Sequence, residues 1–163
     1  MDLGFTGQFQ SKVDGKGRMS IPAKFRRVIE AGDPEWSPDK PMQAKILFGN
    51  HLGESLQIMT MTEFNAKMRR ILDMPDSNPN KSKLRRLFMG YSDELTVDKD
   101  GRVVMPLAFR KKLGIVEGEL KFMGQGDSFQ IWKLENFEGE VDAPLDDWIE
   151  EQGADFDPMS LVD

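Results

Sequence analysis

The sequence predicts an α+β, β-rich fold made of two pseudo-symmetric halves, and three observations predict it. One segment is written twice: Val13-Asp14-Gly15-Lys16-Gly17-Arg18-Met19-Ser20-Ile21-Pro22, running on to Phe25 and Arg26, returns as Val97-Asp98-Lys99-Asp100-Gly101-Arg102-Val103-Val104-Met105-Pro106, running on to Phe109 and Arg110. Seven of these 14 positions are identical at an offset of 84, Asp, Gly, Arg, Pro and Phe among them. A later stretch, Leu56 to Phe64, matches Phe129 to Phe137 at an offset of 73. The pattern around both copies reads strand, turn, short helix, hairpin, second helix. An internal repeat of this kind means two copies of one supersecondary unit.

The drop in offset implies about eleven extra residues in the first copy. The stretch 31–41, with Pro34, Pro38, Pro41 and Gly32, suits that insertion as a loop. In copy one, Pro22 opens a helix whose Phe25, Val28 and Ile29 lie at helical spacing and which Gly32 can end. Pro106, Phe109, Leu113 and Gly114 repeat the device. Glycine-rich separators, Gly49 to Gly53 and Gly124 to Asp127, split the following strands into hairpins.

Between the copies two helices are expected. Thr60 and Glu63 form a capping box ahead of an apolar stripe of Phe64, Met68, Ile71 and Leu72. Asn78 caps and Pro79 starts the second helix, with Leu84, Leu87 and Phe88 turned inward. Near the C-terminus, Pro144, Leu145, Trp148 and Ile149 predict an amphipathic turn or two, and the last ten residues read as frayed. The expected organisation is a first repeat over 7–60, connecting helices over 61–90, a second repeat over 91–140 and an acidic extension over 141–163. Strands swapped between the copies would make the halves inseparable.

The chain has 163 residues and no cysteine, which excludes disulfides and thiolate chemistry and accords with a reducing cytoplasm. No basic region precedes an apolar run at the N-terminus, and no stretch approaches the ~20 apolar residues of a membrane span. Neither a signal peptide nor a membrane location is expected. The net charge of −6 is unevenly spread: residues 133–163 carry eleven acidic side chains and one basic, whereas residues 1–132 carry 21 basic against 17 acidic. Basic groups cluster at Lys12, Lys16, Arg18, Lys24, Arg26 and Arg27, and again at Lys81, Lys83, Arg85 and Arg86. Salt confines such fields to roughly 8–10 Å, so a local basic patch can hold a phosphate while the tail is acidic.

The repeated turn carries the chemistry. Asp14 and Asp98 can accept bonds from backbone amides two residues on, and Gly17 and Gly101 can supply a positive φ. The next residue, Arg18 or Arg102, then sits on a stiff strand end. Arginine's planar fork donates two parallel bonds to phosphate oxygens or a guanine edge. The bare residues equally allow a turn in which Asp and Arg pair with one another and the repeat serves folding alone. Lys12, Lys16 and Arg18 against Asp14 give the first turn a positive balance. Lys99 and Arg102 against Asp98 and Asp100 give the second a balance of zero, so if both turns face DNA the first should grip more strongly.

The two nine-residue motifs, Asp14 to Pro22 and Asp98 to Pro106, together with Leu84-Arg85-Arg86-Leu87-Phe88-Met89-Gly90 between them, resemble the bacterial MraZ family, whose chains carry two SpoVT-AbrB (AbrB-like) domains. The resemblance covers nearly all of residues 1–140. It implies swapped-hairpin β-barrel halves, ring-shaped and octamer-like homo-oligomers, and binding to repeated elements of double-stranded DNA at promoters. It further implies transcriptional control of the division and cell-wall gene cluster by a cytoplasmic, nucleoid-associated protein. The family's Asp-x-x-x-Arg signature falls on Asp14 with Arg18 and on Asp98 with Arg102. The DNA-binding residues expected are therefore Arg18, Arg102, Lys16, Lys12 and Lys99, with Asp14, Gly17, Asp98 and Gly101 shaping the turns. The 31–41 insertion and the acidic extension depart from the family pattern.

Two other functional classes come into question. A ring acting mainly through protein partners is suggested by the acidic tail and by Trp36 and Trp148, both expected to be exposed; in a milder form the tail competes with DNA for the basic patch. An enzyme is not expected. His51 is the only histidine and sits in a Gly-flanked turn, no His/Glu pair stands at ligand spacing, and no nucleophile constellation is present. Asp155 and Asp157 with Glu150 and Glu151 lack a Ca²⁺-loop order, and Gly124-x-Gly126 does not complete a dinucleotide fingerprint. The eleven methionines suit core and interface filling, and no cofactor is expected.

Overall fold

Strand β1 (Gln8–Val13) alternates exposure along its length and ends on buried Val13. A four-residue bend returns the chain as β2 (Arg18–Ser20), with Arg18 and Ser20 outward and Met19 inward. Helix α1 (Ala23–Ala31) follows Pro22 and buries Phe25, Val28 and Ile29, the helical stripe expected from their spacing. β3 (Met42–Leu47) and β4 (Ser55–Thr60) form a hairpin, and α2 (Met61–Leu72) leaves it directly. A computed structural model describes these elements and the rest of residues 4–162.

The second copy repeats the order: β5 (Ser92–Val97), β6 (Arg102–Val104), α4 (Leu107–Leu113), β7 (Gly118–Gly124) and β8 (Phe129–Lys133). Between the copies lie α3 (Asn80–Leu84) and a wide π-helical turn, Arg85–Met89. The α+β, β-rich class stands.

Strand pairing interleaves the copies. The main sheet runs β1-β7-β8-β4-β3-β5, and β2 pairs with β6 in a separate two-stranded ribbon. The first strand of each copy thus lies against the hairpin of the other: Val13 pairs with Gly118 and Val97 with Met42, each over six antiparallel residue pairs. One core results, in which Phe25 of the first copy packs its ring 4.6 Å from Phe129 of the second and 5.3 Å from Phe5. The sheet's inward positions, Ala44, Ile46, Leu56, Ile58, Leu120, Phe122 and Ile131, are all fully buried.

The chain divides into two compact units, 1–133 and 134–163. Within the second, α5 (Leu134–Phe137), a π-helical turn and α6 (Ala143–Gln152) follow in succession, and Trp148 stands edge-on to Phe156 at 5.4 Å. Pro158–Leu161 forms a short 3-10 turn capped by Asp157, so this part of the C-terminus is structured where fraying was expected; Asp163 lies outside the described residues.

Two further expectations change. Trp36 is half-buried and packs against the main core instead of standing in solvent, because the loop after α1 is folded down by Asp33, whose carboxylate accepts the amides of Glu35 and Gln43. Leu84 is 36% exposed: only Phe88 of its helix reaches the small cluster at Phe64, with the two rings stacked 4.8 Å apart. Asn78 does accept the amide of Asn80, and Thr60 that of Glu63, as helix starts require.

Candidate nucleic-acid interface

Each bend is built from one aspartate. Asp14 accepts the backbone amides of Lys16 and Arg18 on one carboxylate oxygen, both at 2.9 Å, and Arg18 Nε on the other at 2.6 Å. Asp98 does the same with Asp100 and Arg102, the Nε contact being 3.1 Å. The Arg18 amide, followed by its guanidinium, holds the Asp14 carboxyl below the usual carboxylate range. For Asp98 the Arg102 amide leads, then the Asp100 amide and the guanidinium. Both carboxylates therefore stay ionised and locked.

Gly17 and Gly101 adopt φ of +87° and +81°, a conformation that L side chains rarely take. Space imposes the same choice. A Cβ at Gly17 would collide with the carbonyl oxygen of Met105, and one at Gly101 with the side chain of Arg26. Each turn is thus pressed against the opposite repeat.

Asp and Arg do pair, yet the arginines are not sequestered. The Arg18 and Arg102 side chains are 64% and 65% exposed. Because Asp14 takes Nε, the two terminal nitrogens of this exposed Arg18 side chain are left with no protein partner among the described residues. Arg102 is more constrained, since Asp100 also binds its Nη2 at 2.8 Å.

The β2–β6 ribbon brings the two copies' arginines together. Arg18 sits opposite Val104 and Ser20 opposite Arg102, so these four residues share the outer face while Met19 and Val103 share the inner one. Ser11, Lys12, Arg18, Ser20 and Arg102 line one groove of about 300 Å³. Both arginines also line a larger groove of about 570 Å³, together with Asp93, Glu94, Val104 and Phe109. Of the expected lysines, Lys12 joins the smaller groove and lies 3.6 Å from Glu119, whereas Lys16 and Lys99 stand exposed on the bends and line neither.

One residue of the site escaped the sequence reading. Arg110 is 6% exposed and donates to the carbonyls of Met105, Gly15 and Val116, tying the first bend to the second repeat. Its repeat equivalent, Arg26, is half-buried, with Nε buried and unbonded. The signal was the identity of these two positions in the duplicated segment.

Among the described residues no three His, Asp or Glu side chains gather as a metal site, and no helix is long and apolar enough to cross a membrane.

Residues 87–143 match the family model described as "MraZ protein, putative antitoxin-like". The chain is 39% identical to the transcriptional regulator MraZ of Ruegeria pomeroyi, over 98% of this chain and 95% of that one. It is 38% identical to the namesake from Cereibacter sphaeroides over the same shares, and 32% identical to that of Acidithiobacillus ferrooxidans over 93% of each chain. None of these relatives is named as an enzyme. Similarity that runs through both Asp–Arg bends and the helices between them makes the conclusion plain: this chain belongs to the MraZ family.

Proposed function

We propose that this protein is a sequence-specific, DNA-binding transcriptional regulator that reads DNA with the β2–β6 ribbon. The observation that carries the reading is the ribbon's outer face, where the arginines of both repeats project side by side. A two-stranded ribbon is an element the DNA major groove can admit, and arginine is the side chain suited to guanine there. Arg18 leads, since its terminal nitrogens are unengaged, and Arg102 is secondary. Lys12, Lys16 and Lys99 add phosphate contacts, while Asp14, Gly17, Asp98 and Gly101 aim the arginines.

One pair of contacts yields modest discrimination. A ring-shaped homo-oligomer meeting repeated promoter elements multiplies it through effective concentration. The target in this reading is the division and cell-wall gene cluster, and the protein works in the cytoplasm at the nucleoid. Residues 7–60 and 91–140 are the two repeats, 61–90 connects them, and 141–163 is an acidic extension. The test is anisotropy titration of a duplex from upstream of the chain's own gene. Arg18→Ala is expected to abolish preference for that duplex with native mass unchanged; full retention of affinity would refute the role.

A scaffold acting through protein partners is favoured by one observation, the exposed row Leu145, Trp148 and Ile149 on an acidic helix. Partner capture that survives loss of DNA binding and disappears with residues 141–163 would establish it.

A further inference from the structure

The helices between the repeats hold the surplus positive charge of the first 132 residues. Residues 61–90 carry seven basic and three acidic side chains, a net of +4, and residues 1–132 together carry 21 against 17, also +4. The flanking β-repeats therefore cancel one another, and the entire excess sits on α2, α3 and the π turn.

Ion pairing concentrates it further. Glu63 lies 3.0 Å from Lys67, which also meets Asp127 at 2.8 Å, and Asp76 lies 2.8 Å from Lys81. Among the described residues Arg69, Arg70, Lys83, Arg85 and Arg86 make no ion pair, and all five are exposed.

The local fold presents them. Ser82 through Arg86 are exposed at five successive positions, whereas a helix laid on a core buries a stripe every third or fourth residue. Burial resumes at the following positions, where Leu87, Phe88 and Met89 are half-buried and Phe88 stacks on Phe64. Ser82, Arg85, Arg86 and Met89 recur at helical spacing around a groove of about 460 Å³ closed by Gly90. Four of these five cations are arginines, Arg85 within electrostatic reach of Asp76, and their forks match phosphate oxygens. No aspartate orients them as Asp14 orients Arg18, and cations without a fixed direction suit backbone phosphates, which carry no sequence information.

We propose that Lys83, Arg85 and Arg86, with Arg69 and Arg70, form a second DNA-contacting surface that grips backbone phosphates irrespective of sequence; this rests on the DNA-binding reading above. The ribbon then discriminates, and the helical surface supplies salt-sensitive affinity.

The experiment titrates the full chain against two duplexes of equal length, the fragment upstream of its own gene and a scrambled version, from about 50 to about 200 mM salt. Lys83→Gln/Arg85→Gln/Arg86→Gln should flatten the slope of log K against log salt by about 0.9 per lost contact, roughly 2–3 in all, on both duplexes alike. The ratio of the two affinities should not change, and Arg85→Lys/Arg86→Lys should keep the original slope. Arg69→Gln/Arg70→Gln is the independent variant should the triple fail to fold, with an expected loss of roughly 2 in slope. An unchanged slope, with the parent protein binding DNA normally, overturns the proposal. So does weakening confined to the upstream duplex, which marks base reading, or a smaller native mass, which marks a contact between copies. Failure of the folded parent to bind either duplex would instead remove the DNA-binding reading itself.

Discussion

Met19 and Val103, the same position in the two repeats, face each other directly across the β2–β6 ribbon. Gln57 and Gln130, likewise equivalent, face each other across β4 and β8. Both pairs sit on a pseudo-twofold axis, and bonds off the axis come in twos: Ile21 donates to Gly101 at 2.8 Å and Met105 to Gly17 at 2.7 Å. Neither repeat has a complete set of strand partners of its own.

Residues up to 133 should accordingly unfold as one unit. Phe25, fully buried, touches Phe9 from its own repeat, Phe5 just ahead of it and Phe129 from the other repeat. Phe25→Ala is expected to cost about 3–5 kcal/mol. In urea, amide exchange of β1 and β5 should shift together in one transition; separate midpoints would contradict interlocking.

The two arginines should not be equivalent. Arg18 leaves its terminal nitrogens unengaged, whereas Asp100 occupies Nη2 of Arg102. Arg18→Ala should abolish the preference for the upstream duplex, a loss of about ten-fold or more for each base contact removed, and Arg102→Ala should reduce it only in part. Asp100→Ala is expected to bring Arg102 closer to Arg18 in effect. Equal losses from both alanine variants would argue against the asymmetry.

Acid should loosen the bends. Asp14 and Asp98 have carboxyl pKa values depressed in the folded chain. A depressed folded value contributes stability above the unfolded value of about 3.9, and the contribution disappears as pH falls through the folded value. The urea midpoint should therefore decline below about pH 4. Asp14→Asn and Asp98→Asn should each be less stable at neutral pH and show a shallower decline in acid.

Alanine at the two bend glycines separates strain from collision. Both substitutions impose the unfavourable positive φ, at about 1–2 kcal/mol. At Gly17 the new Cβ also meets the backbone carbonyl of Met105, which cannot swing away; at Gly101 it meets the flexible Arg26. Gly17→Ala should be the more destabilising by urea denaturation, and a reversed order would exclude this cause.

Arg110 and Arg26 offer a matched pair. Arg110→Met would leave the Met105, Gly15 and Val116 carbonyls without their donor, an expected loss of about 3 kcal/mol. It should also slacken the first bend and weaken DNA binding. Arg26→Met removes a guanidinium whose buried Nε is already unbonded and should cost far less than Arg110→Met by the same melt.

Much of this architecture is short-range and so was legible. Helices begin after Pro22 and Pro106, and the bends depend on Asp14 with Gly17 and on Asp98 with Gly101, because proline's fixed φ and aspartate's reach act within a few residues. Leu84 and Trp36 were misjudged for the opposite reason. Apolar character does not say which neighbour is near enough to cover a side chain.

By itself the sequence determined the duplication, the order of elements and the chemistry of each bend. Only the tertiary structure decided that β1 joins the second copy's hairpin and β5 the first's, that Arg18 and Arg102 share one ribbon face, and that Arg110 reaches across to Gly15. Turn and helix signals are written in neighbouring residues, whereas strand partners are chosen by the packing of the whole core, which no local pattern records.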